Sequence, residues 1–130
     1  MFKSKVKIRD RTKQVEDKAE KGTYRSLGHA GGSIRLWAIY SIKEAEGASP
    51  PGQPPHTHTK RLHRAIKYAV QKQRKSVVIG PDVESFGTAG KAHEHGGSYR
   101  GEHYPKRPFM LPALEAARER LPKFWAGSVR

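Results

Sequence analysis

The residues that could carry chemistry are concentrated near the carboxyl end of the chain. The segment from residue 91 to 114, KAHEHGGSYRGEHYPKRPFMLPAL, contains three of the chain's seven histidines and two glutamates. Imidazole nitrogens and carboxylates are zinc ligands, and the same groups serve as general acids and bases in hydrolysis. Both a metal site and a catalytic site therefore have to be weighed against the residue spacing.

The spacing of the histidines argues against a metal site. On a helix, His93 and His95 would point roughly 200° apart, so they could not bind one ion together. His56 and His58 in an extended segment could both reach a metal, but no carboxylate with a fixed position accompanies them. The chain has no cysteine, which excludes thiolate zinc sites and disulfides. We therefore expect no metal and no cofactor.

A catalytic site has no better support. Hydrolysis needs an activated nucleophile, a base and an oxyanion donor within hydrogen-bond reach of one another. His93 with Glu94 or Glu102 could act as in small ribonucleases, but no pattern supplies a third member. The sequence has neither a phosphate-binding glycine loop with its lysine nor a dinucleotide-binding motif. We expect a protein that is not an enzyme, with a small histidine- or metal-dependent nuclease as an alternative.

The charge of the chain points to polyanionic partners. It has 26 lysines and arginines against 12 acidic residues, a net charge of +14. Such a charge attracts nucleic acid or acidic protein surfaces. One run without any acidic residue contributes Lys60, Arg61, Arg64, Lys67, Lys72, Arg74 and Lys75. These residues are candidates for contacts to DNA or to an acidic partner, and a solvated face is the equal alternative.

Two other features narrow the class of partner. Only Tyr68 interrupts the basic run as an aromatic residue, which does not favour the base stacking typical of single-strand binding. No apolar run approaches the ~20 residues that a membrane span requires, so we expect no membrane partner. The first ten residues are charged and no apolar segment follows them, so we expect no secretory signal.

The elements that must position these residues begin with a long helix, which we predict over residues 23–46. Its apolar residues recur at steps of three and four and therefore share one face: Leu27, Ala30, Ile34, Ala38, Ile42 and Ala45. Thr23 is the predicted amino-terminal cap and Gly47 the terminator. Three glycines, Gly28, Gly31 and Gly32, weaken the helix and indicate a close contact of its backbone with another element.

The second half of this helix is apolar on every side, because Leu36, Trp37, Ile39 and Tyr40 lie outside the stripe. A helix that is apolar all round is buried all round. In a chain of 130 residues this predicts an interface between subunits. A single thick core helix is the alternative.

We expect one domain over residues 23–130, preceded by a basic segment, 1–22, that forms an extended arm or an edge strand. GASPPGQPPHTHT (47–59) is a proline-rich loop. Residues 62–70 suit a helix, although IKYAVQKQ could equally be a strand, and we predict a hairpin from residues 65–72 and 76–81.

The carboxyl-terminal part is predicted from its glycines and prolines. TAGKAHEHGG (88–97) is a short helix stopped by two glycines, and YRGEHYPKRPFM (99–110) is extended. Pro112 opens the last helix, with Leu114, Ala117 and Leu121 on one face.

Four segments in this order carry a resemblance to a known family. SPPGQPPHTHTKRLHRAI, SVVIGPD, AHEHGG and, as the most specific block, RPFMLPALEAARERL together resemble the neck and tail-completion (head–tail joining) proteins of tailed bacteriophages. These are also labelled virion morphogenesis or minor tail proteins. The similarity spans about residues 47 to 126. The chain departs from the family pattern at Lys60, where a glycine is usual, at Ala65, where a serine is usual, and at His95, where an aromatic residue is usual.

The resemblance implies a small α+β unit in which a long helix packs on an antiparallel sheet, with a further helix at the carboxyl end. Copies would form a ring, with six as the expected number, between the head connector and the tail tube, and the genome would pass through its centre. The protein would be assembled in the host cytoplasm and reside in the neck of the virion. Its partners would be itself, the connector or stopper, and the tail terminator or tube proteins, with non-specific contacts to genomic DNA in the lumen.

The motif residues then acquire structural and interface roles. Pro108 and Pro112 would direct the chain, Phe109 would anchor in the core, and we predict that Arg107 pairs with Glu94 within or between subunits. Acidic faces of neighbouring proteins would offset the positive charge of the ring. A basic nucleic-acid-binding accessory protein of the ribosomal or nucleoid type is the alternative function.

Overall fold

The computed structural model describes residues 11–99 and 101–126 of the chain. Its helices are α1 (Thr12–Ser41), α2 (Arg61–Ala65), α3 (Val83–Phe86), α4 (Ala89–His95) and α5 (Met110–Ala117), followed by a 3-10 helix, Leu121–Phe124. Its strands are β1 (Ile66–Gln71), β2 (Ser76–Pro81), β3 (Gly97–Tyr99) and β4 (Glu102–Tyr104). The long helix packs on a two-stranded antiparallel sheet and on the carboxyl-terminal helix, so the predicted α+β class is confirmed.

Helix α1 begins eleven residues earlier than predicted. Thr23 lies inside it instead of capping it, and residues 12–22 are helical, so the predicted arm or edge strand is wrong there. Residues 1–10 lie outside the described part. The reason for the longer helix is that residues 12–22 contain no proline, and Lys13, Asp17 and Lys21 alternate in sign at the four-residue spacing that stabilises a helix.

The helix ends six residues before Gly47. Ser41 is its last residue, and its hydroxyl donates to the carbonyl of Ala38 at 2.7 Å. Ile42 then adopts an extended conformation and remains buried. The predicted stripe is confirmed for Leu27, Ala30, Ile34 and Ala38, which are all buried. Ile42 and Ala45 lie beyond the end of the helix, and Ala45 is only half-buried.

The predicted hairpin is confirmed within one residue at each end. Strand β1 pairs with β2 in antiparallel register, from Ile66 opposite Pro81 to Gln71 opposite Ser76. A two-stranded sheet is marginal without a packing partner, and α1 supplies it. A Cβ at Gly31 would lie 2.7 Å from Val77 Cγ2 and 2.8 Å from a ring carbon of Tyr68. The predicted close contact of the helix backbone is therefore made at Gly31.

The two alternatives for residues 62–70 both occur, in succession. Residues Arg61–Ala65 form α2, and the strand begins at Ile66. Lys60, which precedes α2, has a φ of 57°. This is the left-handed conformation that glycine adopts most easily. The chain therefore turns into α2 at this position although the residue is a lysine.

The proline-rich loop is a loop, as predicted, and hydrogen bonds hold it on both sides. Thr57 donates its backbone N–H to Lys43 O at 2.9 Å and accepts from Ala45 N at 3.1 Å. In the middle of the loop, Gly52 N donates to Lys106 O at 2.8 Å. The loop is therefore part of the folded body between the end of α1 and the segment that precedes α5.

Helix α4 and its glycine stop are confirmed, and Gly96 has a positive φ of 69°. The extended segment that follows contains an unpredicted hairpin, β3–β4, whose turn includes Gly101 with a φ of 78°. Neither strand shows an apolar alternation, because three residues are too few for one. The turn glycine was the only local signal.

Helix α5 begins at Met110, two residues before Pro112. Its predicted face is confirmed at Ala117, and Leu121 packs against the core, but the prediction is wrong at Leu114. Ala113 and Ala117 are buried, whereas Leu114 is 42% exposed. The small alanines allow α5 to approach α1 closely, and α1 makes its most extensive helix–helix contact with α5. Pro122 lies in the 3-10 helix that follows.

The core lies where α1, α2, the start of β1 and α5 meet. Its largest members are Phe109, Leu62, Ile66, Ile34 and Ile42, each at most 5% exposed. Phe109 has no exposed surface, so its predicted role as an anchor is confirmed. None of the described helices is long and apolar enough to cross a membrane.

Candidate interaction surfaces

The carboxylate of Glu94 joins α4 to α5. Its Oε2 accepts the backbone N–H of Phe109 at 2.9 Å and of Met110 at 3.0 Å, and its Oε1 accepts that of Leu111 at 3.0 Å. The first N–H groups of a helix have no partner within the helix, and Phe109 has no side chain able to accept them. Glu94 therefore caps α5 from another element, fifteen residues away in the sequence.

The predicted pairing of Glu94 with Arg107 is wrong within this chain. Arg107 Nε donates instead to Ser49 O at 2.8 Å, and Arg107 N donates to His93 O at 2.6 Å. The two bonds fix Arg107 between the proline-rich loop and α4. Because the N–H groups of α5 occupy both oxygens of the Glu94 carboxylate, no position remains there for a bidentate guanidinium. Pro108 and Pro112 are half-buried beside this junction.

The histidines differ in their surroundings. His63 Nε2 lies 2.7 Å from Ile42 O and ties α2 to the end of α1, and His56 Nδ1 lies 3.3 Å from Gly47 O within the loop. Burial, and secondarily the charge of Arg107, lower the pKa of His93. Within residues 11–99 and 101–126, no group of three or more histidine and acidic side chains could hold a metal ion.

A cleft of about 500 Å³ opens beside His93. Helix α4, the β3–β4 hairpin and the segment from Tyr104 to Arg107 form its walls. No local sequence pattern predicts this cleft, because the hairpin that closes it has no such pattern. Lys91, His95 and Tyr104 were therefore not recognised as neighbours.

Three large apolar side chains lie at the surface of α1. We call them the apolar patch: Leu36, Trp37 and Tyr40. They are 45%, 38% and 76% exposed, whereas the fourth predicted residue, Ile39, is half-buried against the core. At about 100° per residue, Leu36 and Tyr40 lie on the side of α1 opposite the buried stripe. The single-core-helix alternative is therefore wrong. The guanidinium of Arg120 lies 5.9 Å from the ring centroid of Trp37.

All seven residues of the basic run are exposed. Strand β1 divides them into a group at α2 and a group at the β1–β2 turn, which are about 20 Å apart along the strand. Lys67, between them, bonds to Asp82 at 2.9 Å, and Lys60 lies 3.5 Å from Glu44. The run therefore forms two basic regions and not one continuous stripe.

The members of the two regions differ in their contacts. Arg64 donates to Thr59 O at 3.0 Å, and the ammonium of Lys72 lies 5.5 Å from the ring centroid of Tyr24. Arg61, Arg74 and Lys75 complete the set at the surface. The side chains are thus presented to solvent at both ends of β1.

Comparisons with known proteins do not extend these observations. A scan against protein-family models found no match, and searches of the curated proteins and of the solved structures found none either.

Proposed function

We propose that this chain is a structural component of the neck of a tailed bacteriophage. In this proposal, copies of the chain form a ring, with six as the expected number, that joins the head connector to the tail and surrounds the DNA channel. The observation that carries the proposal is the apolar patch of Leu36, Trp37 and Tyr40, which the chain leaves exposed on its longest helix. Aromatic residues of this kind are typical anchors of protein interfaces.

The arrangement of the resembling segments supports the proposal. AHEHGG and RPFMLPAL, which carry the similarity to neck proteins, contact each other through the bonds from Glu94 to the start of α5. Phe109, in the second segment, lies in the core. The two segments that carry the resemblance are thus in direct contact in the fold. An accidental similarity of two short segments would give no reason to expect this contact.

A ring needs a heterologous contact, in which one surface of each copy meets a different surface of the next. The apolar patch would supply one of the two surfaces. The exposed basic groups at α2 and at the β1–β2 turn would face acidic surfaces of the connector and tail proteins, and lumenal DNA. Attraction between such surfaces weakens as salt increases.

Sedimentation velocity and negative-stain electron microscopy of the purified chain test the proposal. We expect rings in the unaltered protein and monomers in Tyr40→Lys and Leu36→Lys, with unchanged circular dichroism. Val15→Lys is the matched control, because Val15 is 56% exposed on the same helix but outside the patch. A chain that stays monomeric at every concentration, or a control that dissociates equally, would contradict the proposal.

The exposure of the whole basic run favours a second candidate, a nucleic-acid-binding accessory protein of the ribosomal or nucleoid type. That function requires the isolated monomer to bind duplex DNA or RNA tightly, with an affinity that falls steeply with salt. Filter binding at graded salt therefore separates the two candidates. Weak binding by the monomer, together with rings, supports the neck component.

A further inference from the structure

The cleft between α4 and the β3–β4 hairpin has no part in the proposed ring contact, and its composition indicates a ligand. Four of its lining side chains carry or can acquire a positive charge: Lys91, His93, His95 and Arg107. No aspartate or glutamate is among the described residues that line it. Glu94, the acidic residue on α4 itself, is occupied by the start of α5. Glu102, on the hairpin, accepts the hydroxyl of Tyr104 at 3.1 Å and is not among the lining residues. The lining of the cleft thus combines a concave shape with positive charge.

Arg107 is held in a position suited to binding an anion. Its backbone N–H donates to His93 O and its Nε donates to Ser49 O, so both ends of the residue are fixed. Within residues 11–99 and 101–126, its two Nη groups have no hydrogen-bond partner. A guanidinium with free Nη donors binds a carboxylate with good geometry, and one already immobilised loses little side-chain entropy on binding.

His93 provides a second hydrogen-bond donor, and its charge depends on whether an anion occupies the cleft. Its ring is half-buried, and burial together with Arg107 lowers its pKa. Lys91 and His95 on α4, Tyr104 at the end of β4 and Arg107 opposite are the charged or titratable groups that line the cleft with it. An anion placed between these groups offsets their repulsion, so it favours the protonated, hydrogen-bonding form of His93.

The walls of the cleft favour a peptide over nucleic acid. Ala89, Ala92 and Pro105 form apolar surface beside the cationic groups, which suits a carboxylate flanked by apolar atoms. Nucleic acid is bound through phosphates spaced along an open surface, whereas these residues line a single cleft. We propose that this cleft binds carboxylate side chains of an acidic segment of a partner protein.

The test uses the full chain and a fluorescein-labelled peptide, acetyl-Asp-Glu-Leu-Asp-Glu, in fluorescence anisotropy at about physiological salt. We expect saturable binding that strengthens from pH 8 to pH 6, as protonation of His93 predicts. The double variant Lys91→Gln with His93→Gln should weaken binding roughly ten-fold or more, the effect of losing charge-assisted hydrogen bonds. In NMR spectra of the unaltered chain, the titration midpoint of the His93 ring should rise when the peptide is present.

The matched control is Arg74→Gln with His58→Gln, which removes one cationic group and one imidazole outside the cleft and should change binding less than two-fold. Absence of peptide binding, or equal weakening in the control, would overturn the proposal. So would a thymidine oligonucleotide that displaces the peptide and loses affinity in the cleft variant, since the cleft would then be a phosphate site. Because the binding is measured on the chain itself, this result and the ring result are independent.

Discussion

The carboxylate of Glu94 accepts the backbone N–H of Phe109 at 2.9 Å, at the point where the chain enters its last α-helix. Phe109 is fully buried, so one residue contributes the anchor of the core and the first of three donors to Glu94. This bond connects the start of α5 to α4, and both the core and the neighbouring cleft depend on it.

Replacement of Glu94 should therefore destabilise the fold. Glu94→Ala leaves the N–H groups of Phe109, Met110 and Leu111 without an acceptor, and we expect a loss of about 2 kcal/mol or more in the free energy of unfolding. Glu94→Gln keeps one acceptor oxygen and should lose less. Urea denaturation measures both, and Glu119→Gln, exposed in the turn after α5, is the control. Equal stability of all three variants would show that the cap contributes nothing.

Two glycines of α1 should respond oppositely to alanine. At Gly31 the new methyl group would overlap Val77 and Tyr68, and relieving this overlap costs about 1–3 kcal/mol. Gly28 has no atom within 4 Å of that position, so alanine should stabilise the helix by about 0.5–1 kcal/mol. Thermal denaturation of the two variants decides the point, and a gain in stability for Gly31→Ala would contradict the packing of the sheet on α1.

Two buried serines should also differ in their response to replacement by alanine. Ser26 Oγ donates to Phe124 O at 2.6 Å, whereas the buried Ser49 Oγ has no partner among the described residues. Ser26→Ala should lose about 1 kcal/mol, the usual contribution of a hydrogen bond, while Ser49→Ala should be neutral or stabilising because it removes an unsatisfied group. Chemical denaturation distinguishes them, and similar losses in both would reveal a partner for Ser49.

The turn of the β1–β2 hairpin contains a strained lysine. Lys75 has a φ of 47°, a conformation that costs a residue with a Cβ about 1–2 kcal/mol. Lys75→Gly should therefore stabilise the hairpin in spite of the greater entropy of glycine in the unfolded chain. Arg74→Gly removes the neighbouring cation without relieving strain and should lose stability by about 0.5 kcal/mol. Melting temperatures that move in the same direction for both variants would contradict this reading of the turn.

The burial of His93 predicts a pH dependence of stability. Burial and the charge of Arg107 lower the pKa of His93 in the folded state, so the unfolded chain binds the proton more tightly. The contribution of His93 to the free energy of unfolding is then fully present above the pKa of about 6.5 that histidine has in an unfolded chain. It falls as the pH decreases from there to the folded pKa. To measure this contribution, the denaturation midpoints of the native chain and of His93→Gln are determined at pH 8 and at pH 5.5. The midpoint of the native chain should fall more between the two pH values than that of the variant. His58→Gln should keep the native dependence, and an unchanged dependence in His93→Gln would refute the assignment.

The sequence by itself determined the elements that rest on local patterns. The stripe from Leu27 to Ala38 was readable because the helical period places these residues on one face, and the β1–β2 hairpin because a β-branched run ends at Gly80 and Pro81. The two glycines after His95 marked the end of α4. These signals need no knowledge of distant residues, since they depend on backbone preference and on the separation of apolar from polar side chains.

The tertiary structure alone decided which distant groups meet. Glu94 was recognised as important, but its partner depended on where the start of α5 docks, and three backbone N–H groups took the place predicted for Arg107. No periodic pattern of apolar residues predicts the β3–β4 hairpin, so the cationic cleft that it helps to form could not be predicted either. Leu114 is exposed and Ala113 buried because close approach of α5 to α1 favours small side chains over large ones. Such outcomes follow from packing and hydrogen-bond satisfaction across the whole chain, which no local window contains.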